Sequence, residues 1–116
     1  MSTNKNYAAV EPTRAEVDAF EGATVIEFGT PWCGYCRRAQ PLIEEALRFR
    51  GDLRHLKIED GSGRRLGRSF AVKLWPTLIF MNNGKEVARV VRPADAEEIR
   101  KAFAAIGPLR AGDENV

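Results

Sequence analysis

The sequence predicts an α/β domain, a central mixed β-sheet of about four strands flanked by about four helices on both faces. Three observations carry this. Helical and strand patterns alternate through the first half of the chain, and a hairpin followed by a helix closes the second half. The 116 residues, 44% of them hydrophobic, give room for one compact domain with a core of its own. Alternation favours parallel strands joined by helical crossovers, whereas a hairpin brings antiparallel pairing, so the sheet should be mixed.

Residues 1–116 form a single domain in this reading, with a folded core from about Pro12 to Gly107 and flexible tails at 1–6 and 108–116. Thr13 can cap a first helix, because Glu16 three residues on completes a capping box. Val17 and Phe20 supply its apolar stripe and Gly22 ends it. Thr24-Val25-Ile26-Glu27-Phe28 is short, β-branched and aromatic between two glycines, a buried strand with one acid in its middle. A long helical pattern runs from Cys33 to about Phe49, with Ala39, Leu42, Ile43, Ala46 and Leu47 inward and Pro41 expected to kink it. Leu53 to Ile58 alternates apolar and polar as a half-covered strand. A short helix passes through Leu66 and Phe70. Thr77–Met81 and Glu86–Val91 form a hairpin, since Asn83-Gly84 suits the positive-φ positions of a type I′ turn. Ala94 to Ile106 reads as the last helix, started by Asp95 and Glu98 and stopped by Gly107-Pro108.

Composition removes several function classes. The apolar stretches fall far short of the roughly 20 residues of a membrane helix, and the polar first ten residues lack the apolar core of a secretory signal. The expected compartment is therefore the cytoplasm, where a standing structural disulfide is rare. Net charge is +2, but ten basic residues face five acidic ones between Arg37 and Lys73. Without interleaved aromatics or a groove-reading motif, this is a solvated arginine-rich face and no nucleic-acid site.

The chemistry lies in Trp32-Cys33-Gly34-Tyr35-Cys36, where a strand gives way to a helix. As a staple the pair closes a loop too short to constrain the unfolded chain by more than about 2 kcal/mol. Structural zinc needs four ligands, and the only histidine, His55, lies nineteen residues beyond Cys36 and reads as a surface strand residue. A reactive dithiol remains. A cysteine at the first turn of a helix meets unpaired N–H groups and the positive end of the macrodipole, both of which favour thiolate. Arg37 and Arg38 add positive charge. Cys33 is then the nucleophile, and Cys36, one turn deeper, is placed to displace whatever becomes attached to it.

From about Pro12 to Gly107 the chain resembles the thioredoxin family. The likeness rests on Val25-Ile26-Glu27-Phe28, the tryptophan before the first cysteine, Pro41 in the following helix, Trp75-Pro76-Thr77 and the Asn83-Gly84 hairpin. It implies a cis Trp75–Pro76 bond facing Cys33, with Trp75 backbone groups and Thr77 positioning an extended client segment. It implies that Trp32 flanks the dithiol and that Glu27 is a buried acid taking the proton of Cys36; the family usually has Asp there, and the alternative for Glu27 is an edge or rim carboxylate paired with a lysine such as Lys57. Gly34-Tyr35 between the cysteines departs from Gly-Pro and is similar to bacterial disulfide isomerases. Trp75 is bulkier than the usual aliphatic residue, and Arg92 stands where the family commonly has Gly facing the client groove.

The resemblance implies a monomeric thiol–disulfide oxidoreductase exchanging disulfides in client proteins through Cys33 and Cys36. No metal and no organic cofactor is called for, and a flavin-dependent thioredoxin reductase would supply electrons. Two alternatives stand beside it: a disulfide isomerase or oxidant, suggested by Tyr35, and a redox-sensing binding module using the Trp32/Trp75 surface.

Overall fold

The computed structural model describes residues 6–107; apart from Asn6, the expected tails lie outside the described residues. Five helical segments, α1 (Arg14–Asp18), α2 (Gly34–Leu47), α3 (Arg65–Ser69), α4 (Ala96–Lys101) and α5 (Phe103–Ile106), accompany four strands, β1 (Ala23–Gly29), β2 (Arg54–Glu59), β3 (Thr77–Asn82) and β4 (Lys85–Val91). The strands form one sheet in the order β2-β1-β3-β4, with β1 and β2 parallel and the other neighbours antiparallel. This is the mixed, helix-covered sheet that the element order predicts.

Strand alternation sorts the core into two layers. Val25 of β1 and Leu78 and Phe80 of β3 face α2, α4 and α5, packing on Ala39, Ile43 and Ile99. Ile26 and Phe28 of β1 and Ile79 and Met81 of β3 face the other way, onto Val17 of α1 and Leu66 of α3. By the same alternation Glu27 joins Val25 on the α2 face. Each of the large apolar side chains buried here contributes about 1.5–3 kcal/mol of transfer free energy.

Local signals act where the sequence places them. Thr13 caps α1 with a complete capping box: Glu16 N–H donates to Thr13 Oγ1 at 3.1 Å and Thr13 N–H donates to Glu16 Oε1 at 2.8 Å. Asn83 (φ 51°) and Gly84 (φ 80°) make the hairpin turn. Asn83 is also clamped to the end of the first helix–strand connection, where Gly22 N–H donates to its Oδ1 at 2.8 Å and its own N–H donates to Gly22 O at 3.0 Å. The hairpin pairing skips Val87 at a bulge opposite Phe80 and Met81.

One detail differs from expectation. The last helix is broken into α4 and α5 at Ala102, whose N–H bonds Ile99 O at 3.0 Å, a tightened turn that interrupts the α pattern. α2 runs on through Pro41 to Leu47; the missing N–H leaves the Arg37 carbonyl without its helical donor. Among the described residues no helix is long and apolar enough to cross a membrane.

Candidate active site: a cysteine pair at the tip of α2

β1 ends at Gly29 and the chain turns through Thr30, Pro31 and Trp32 into α2, whose N-cap is Cys33. Cys33 has extended backbone (φ −82°, ψ 122°), and its Sγ accepts the backbone N–H of Cys36 at 3.4 Å. A sulfur thus takes the place that a serine or aspartate oxygen occupies at an ordinary N-cap. Both cysteines are free thiols. Cys33 keeps 8% of its surface exposed and Cys36 only 2%, so the outer sulfur is the one that can be reached.

The electrostatics separate the pair. Burial pushes the Cys33 thiol up, but the hydrogen bond from the Cys36 side chain, the backbone N–H groups of Cys36 and Tyr35 and the charge of Arg92 together outweigh it and hold Cys33 below the ordinary cysteine range. Cys36 goes the other way. Its burial is the main cause, the Thr30 backbone opposes it, and Cys33 and the Glu27 carboxylate add to it, leaving the thiol pushed up to about 12. One sulfur is set to be the nucleophile while the other waits protonated.

Beneath Cys36 lies a polar cluster. Glu27 is 1% exposed. Its Oε2 accepts Gln40 Nε2 at 2.6 Å and lies 3.9 Å from Lys57 Nζ, while Oε1 lies 3.1 Å from His55 Nε2. Gln40 spans the gap to the cysteine, its Nε2 also reaching Cys36 O at 3.5 Å and its Oε1 accepting Lys57 Nζ at 3.0 Å. The rim-carboxylate alternative for Glu27 is therefore set aside: the Lys57 pairing exists, but deep in the α2 face of the sheet. His55 needs correcting too, for it is no surface residue. It stands opposite Val25 in the parallel register, as Lys57 stands opposite Glu27, and its side chain is buried against the Glu27 carboxylate.

The reading from sequence missed Tyr7. Ala8 N–H donates to Lys57 O at 2.8 Å, laying this segment beside β2. The Tyr7 ring lies 4.8 Å from Lys57 Nζ, and its side chain hydrogen-bonds Cys36. Burial, and then the negative charge of Cys36, Glu27 and Cys33, push its phenol above the ordinary range, so it remains a donor. A cavity of about 270 Å³ opens here between Tyr7, Thr30, Cys36, Gln40 and Lys57. Gly29 packs against the same sulfur: a Cβ there would stand 2.5 Å from Cys36 Sγ and 3.1 Å from the Tyr7 hydroxyl, so only glycine leaves room for it.

Trp75 and Pro76 contact Trp32 and Arg92. The Trp75–Pro76 bond is cis. Trp32, 67% exposed, stands edge-on to Trp75 with centroids 5.6 Å apart. The Trp75 indole donates to Asp60 Oδ2 at 2.9 Å, a partner with no sequence signal beyond its being an acid at the end of β2. Thr77 is buried, its hydroxyl donating to Leu74 O at 2.6 Å. Gly34 opens α2, and Arg92 reaches back to the tip with its guanidinium 3.7 Å over the exposed Tyr35 ring.

A sequence profile of the thioredoxin family matches residues 6–105. The chain belongs to the thioredoxin family. A solved structure of thioredoxin 2 from Pseudomonas aeruginosa in its reduced form is 53% identical, with a TM-score of 0.79 over 89% of this chain and 96% of that one. Among relatives, Thioredoxin-2 of Saccharomyces cerevisiae is 35% identical over 69% of this chain and 76% of its own length. Thioredoxin H2-1 of Oryza sativa is 32% identical over 74% of this chain; the match spans 64% of the rice protein, just under two thirds. Thioredoxins are thiol–disulfide oxidoreductases that act through their own dithiol without a cofactor, and this domain carries such a pair at the tip of α2. Among the described residues no cluster of three or more metal-ligating side chains occurs.

Tyr7→Phe keeps the ring beside Lys57 and deletes the hydroxyl that meets Cys36. Closure of the Cys33–Cys36 disulfide from a mixed disulfide on Cys33, followed in a single turnover, should slow about tenfold, the effect of one hydrogen bond to a developing thiolate. Alkylation of Cys33 should keep its wild-type rate. An unchanged closure rate would show that the phenol contributes only packing.

Proposed function

We propose that this chain is a monomeric reductant of disulfides in client proteins, working in the cytoplasm, where a dithiol is kept reduced, and re-reduced by a flavin-dependent thioredoxin reductase. The single observation that carries the reading is the division of labour between two sulfurs one helical turn apart. The Cys33 thiolate attacks a client disulfide, forming a mixed disulfide and expelling the second client sulfur as a thiolate that takes up a proton. Cys36 then loses its proton and attacks the Cys33 sulfur. The Cys33–Cys36 bond forms, the client leaves with both sulfurs reduced, and two electrons have passed from the domain to the client.

Glu27 is the proton acceptor in this scheme. The carboxylate lies in the buried cluster on the Cys36 side of the sheet, close enough for its charge to act on that thiol. Gln40, Lys57 and His55 hold it in place, and water in the cavity beside Cys36 can bridge the remaining distance. Trp32, Gly34, Tyr35 and Arg92 border the Cys33 sulfur on the client side, and Trp75-Pro76-Thr77 offers the backbone against which an extended client segment lies.

Reduction of insulin disulfides tests the assignment of the sulfurs. Cys33→Ser should abolish it, and Cys36→Ser should accumulate the mixed disulfide; turnover at the wild-type rate in either variant would refute the scheme. Glu27→Gln separates the proton role. Resolution should slow about 100-fold near neutral pH and recover as hydroxide replaces the missing base. A pH–rate profile identical to that of the wild type would remove Glu27 from the mechanism.

A further inference from the structure

Only some of the arginines of this protein are matched by a carboxylate among the described residues. Arg14, Arg50, Arg64, Arg89 and Arg100 each stand within 4.0 Å of a carboxylate, from 2.7 Å for Arg89–Glu86 to 3.6 Å for Arg64–Glu59. Among the described residues, Arg37, Arg38 and Arg92 at the dithiol end of α2 have no carboxylate within 4.0 Å, as is also true of Arg48, Arg54, Arg65 and Arg68 elsewhere. Arg37, Arg38 and Arg92 thus leave unpaired positive charge at the dithiol end of α2.

Arg92 is also held in place. It has a left-handed backbone (φ 48°), its N–H donates to Pro76 O at 3.0 Å and its Nε donates to Trp75 O at 2.9 Å. Among the described residues that bond leaves the two terminal nitrogens of the guanidinium turned to no protein acceptor. The group lies 3.7 Å over the Tyr35 ring, and Arg38 lies 4.8 Å over the same ring. The cleft between them, about 360 Å³, is lined by Ala39, Leu42, Pro93 and Ala94 besides these three side chains, and by no acid. An arginine fixed by stacking and by one hydrogen bond loses little further freedom when its free edge receives a carboxylate.

The geometry points to Arg38 and Arg92, stacked on Tyr35, as a recognition site for client segments that carry Asp or Glu beside the disulfide. The inference rests on the proposed reading of Cys33 as the attacking sulfur, since the site borders that sulfur, and adds to it a preference among clients. Client carboxylates dock on the free edges of the two guanidiniums while the apolar cleft takes the neighbouring side chain. Tyr35 then acts as the platform that spaces the two cations, a task that proline at this position could not perform.

Two disulfide-bonded peptides, alike except for Glu or Lys on either side of the attacked cysteine, test this. Their kcat/KM values are measured with dithiothreitol as electron source at about 0.05 M and 0.5 M salt, the higher salt screening charges beyond a few ångströms. For the unmodified protein the Glu-to-Lys ratio should be about tenfold at low salt and close towards unity at high salt. Arg38→Glu/Arg92→Glu should invert it. Arg48→Glu, an exposed charge at the far end of α2, should leave it unchanged. Equal kcat/KM for the two peptides, or a shift with Arg48→Glu as large as with the double variant, would overturn the inference while leaving the dithiol chemistry standing. Failure to reduce either peptide would overturn the chemistry, and the preference with it.

Discussion

The Cys33 sulfur accepting the backbone N–H of Cys36 is the interaction on which the rest of this structure depends. It makes one side chain both the cap of a helix and the nucleophile of the site. A thiolate is a better acceptor at that position than a thiol, so the unsatisfied N–H groups of the first turn stabilise the charged form. Folding the helix and activating the sulfur are thus one event. The three-position step from a cap to its N3 residue is also the step between the two cysteines, which brings the second sulfur within reach of the first.

The sheet supplies the opposite environment a few ångströms below. Because alternation turns Glu27 toward α2 and not toward α1 and α3, an acid sits under the buried cysteine. Parallel pairing sets Lys57 beside Glu27 and His55 beside Val25 on the same face. Burying this set is tolerable because its members satisfy one another, Gln40 bonding to Glu27, Lys57 and the helix backbone at once. The result is a thiol whose proton is held until a base is needed, under a thiol whose proton is more easily lost.

What could be read from the sequence was what local rules govern. Thr13 with Glu16, Asn83-Gly84 and Cys33 at the start of α2 are each decided within four residues, and each stands where those rules put it. The alternation of Leu53–Ile58 was also correct as a strand, yet it misplaced His55. Leu56 and Ile58 do face a core layer, but the other side of the strand is covered too, by the tip of α2 and the Tyr7 segment, so the polar side is an interior of its own. Tyr7 lies in a polar stretch whose pattern announces nothing, and Gln40 reads as a solvent-facing helix position until Glu27 is seen beneath it. Asp60 meets the Trp75 indole only through the long connection from β2 to β3. Contacts of this kind depend on how elements are stacked, which no window of sequence contains.

The most direct test of this account is a pH titration of the reduced protein, following thiolate absorbance near 240 nm with Cys33→Ser and Cys36→Ser as controls that assign each step. The account predicts two well-separated ionisations, Cys33 below the roughly 8.5 of a free cysteine and Cys36 close to 12. Two thiols titrating together at or above that ordinary value would contradict it, because the helix tip would then do nothing to distinguish the sulfur it holds from the one it buries.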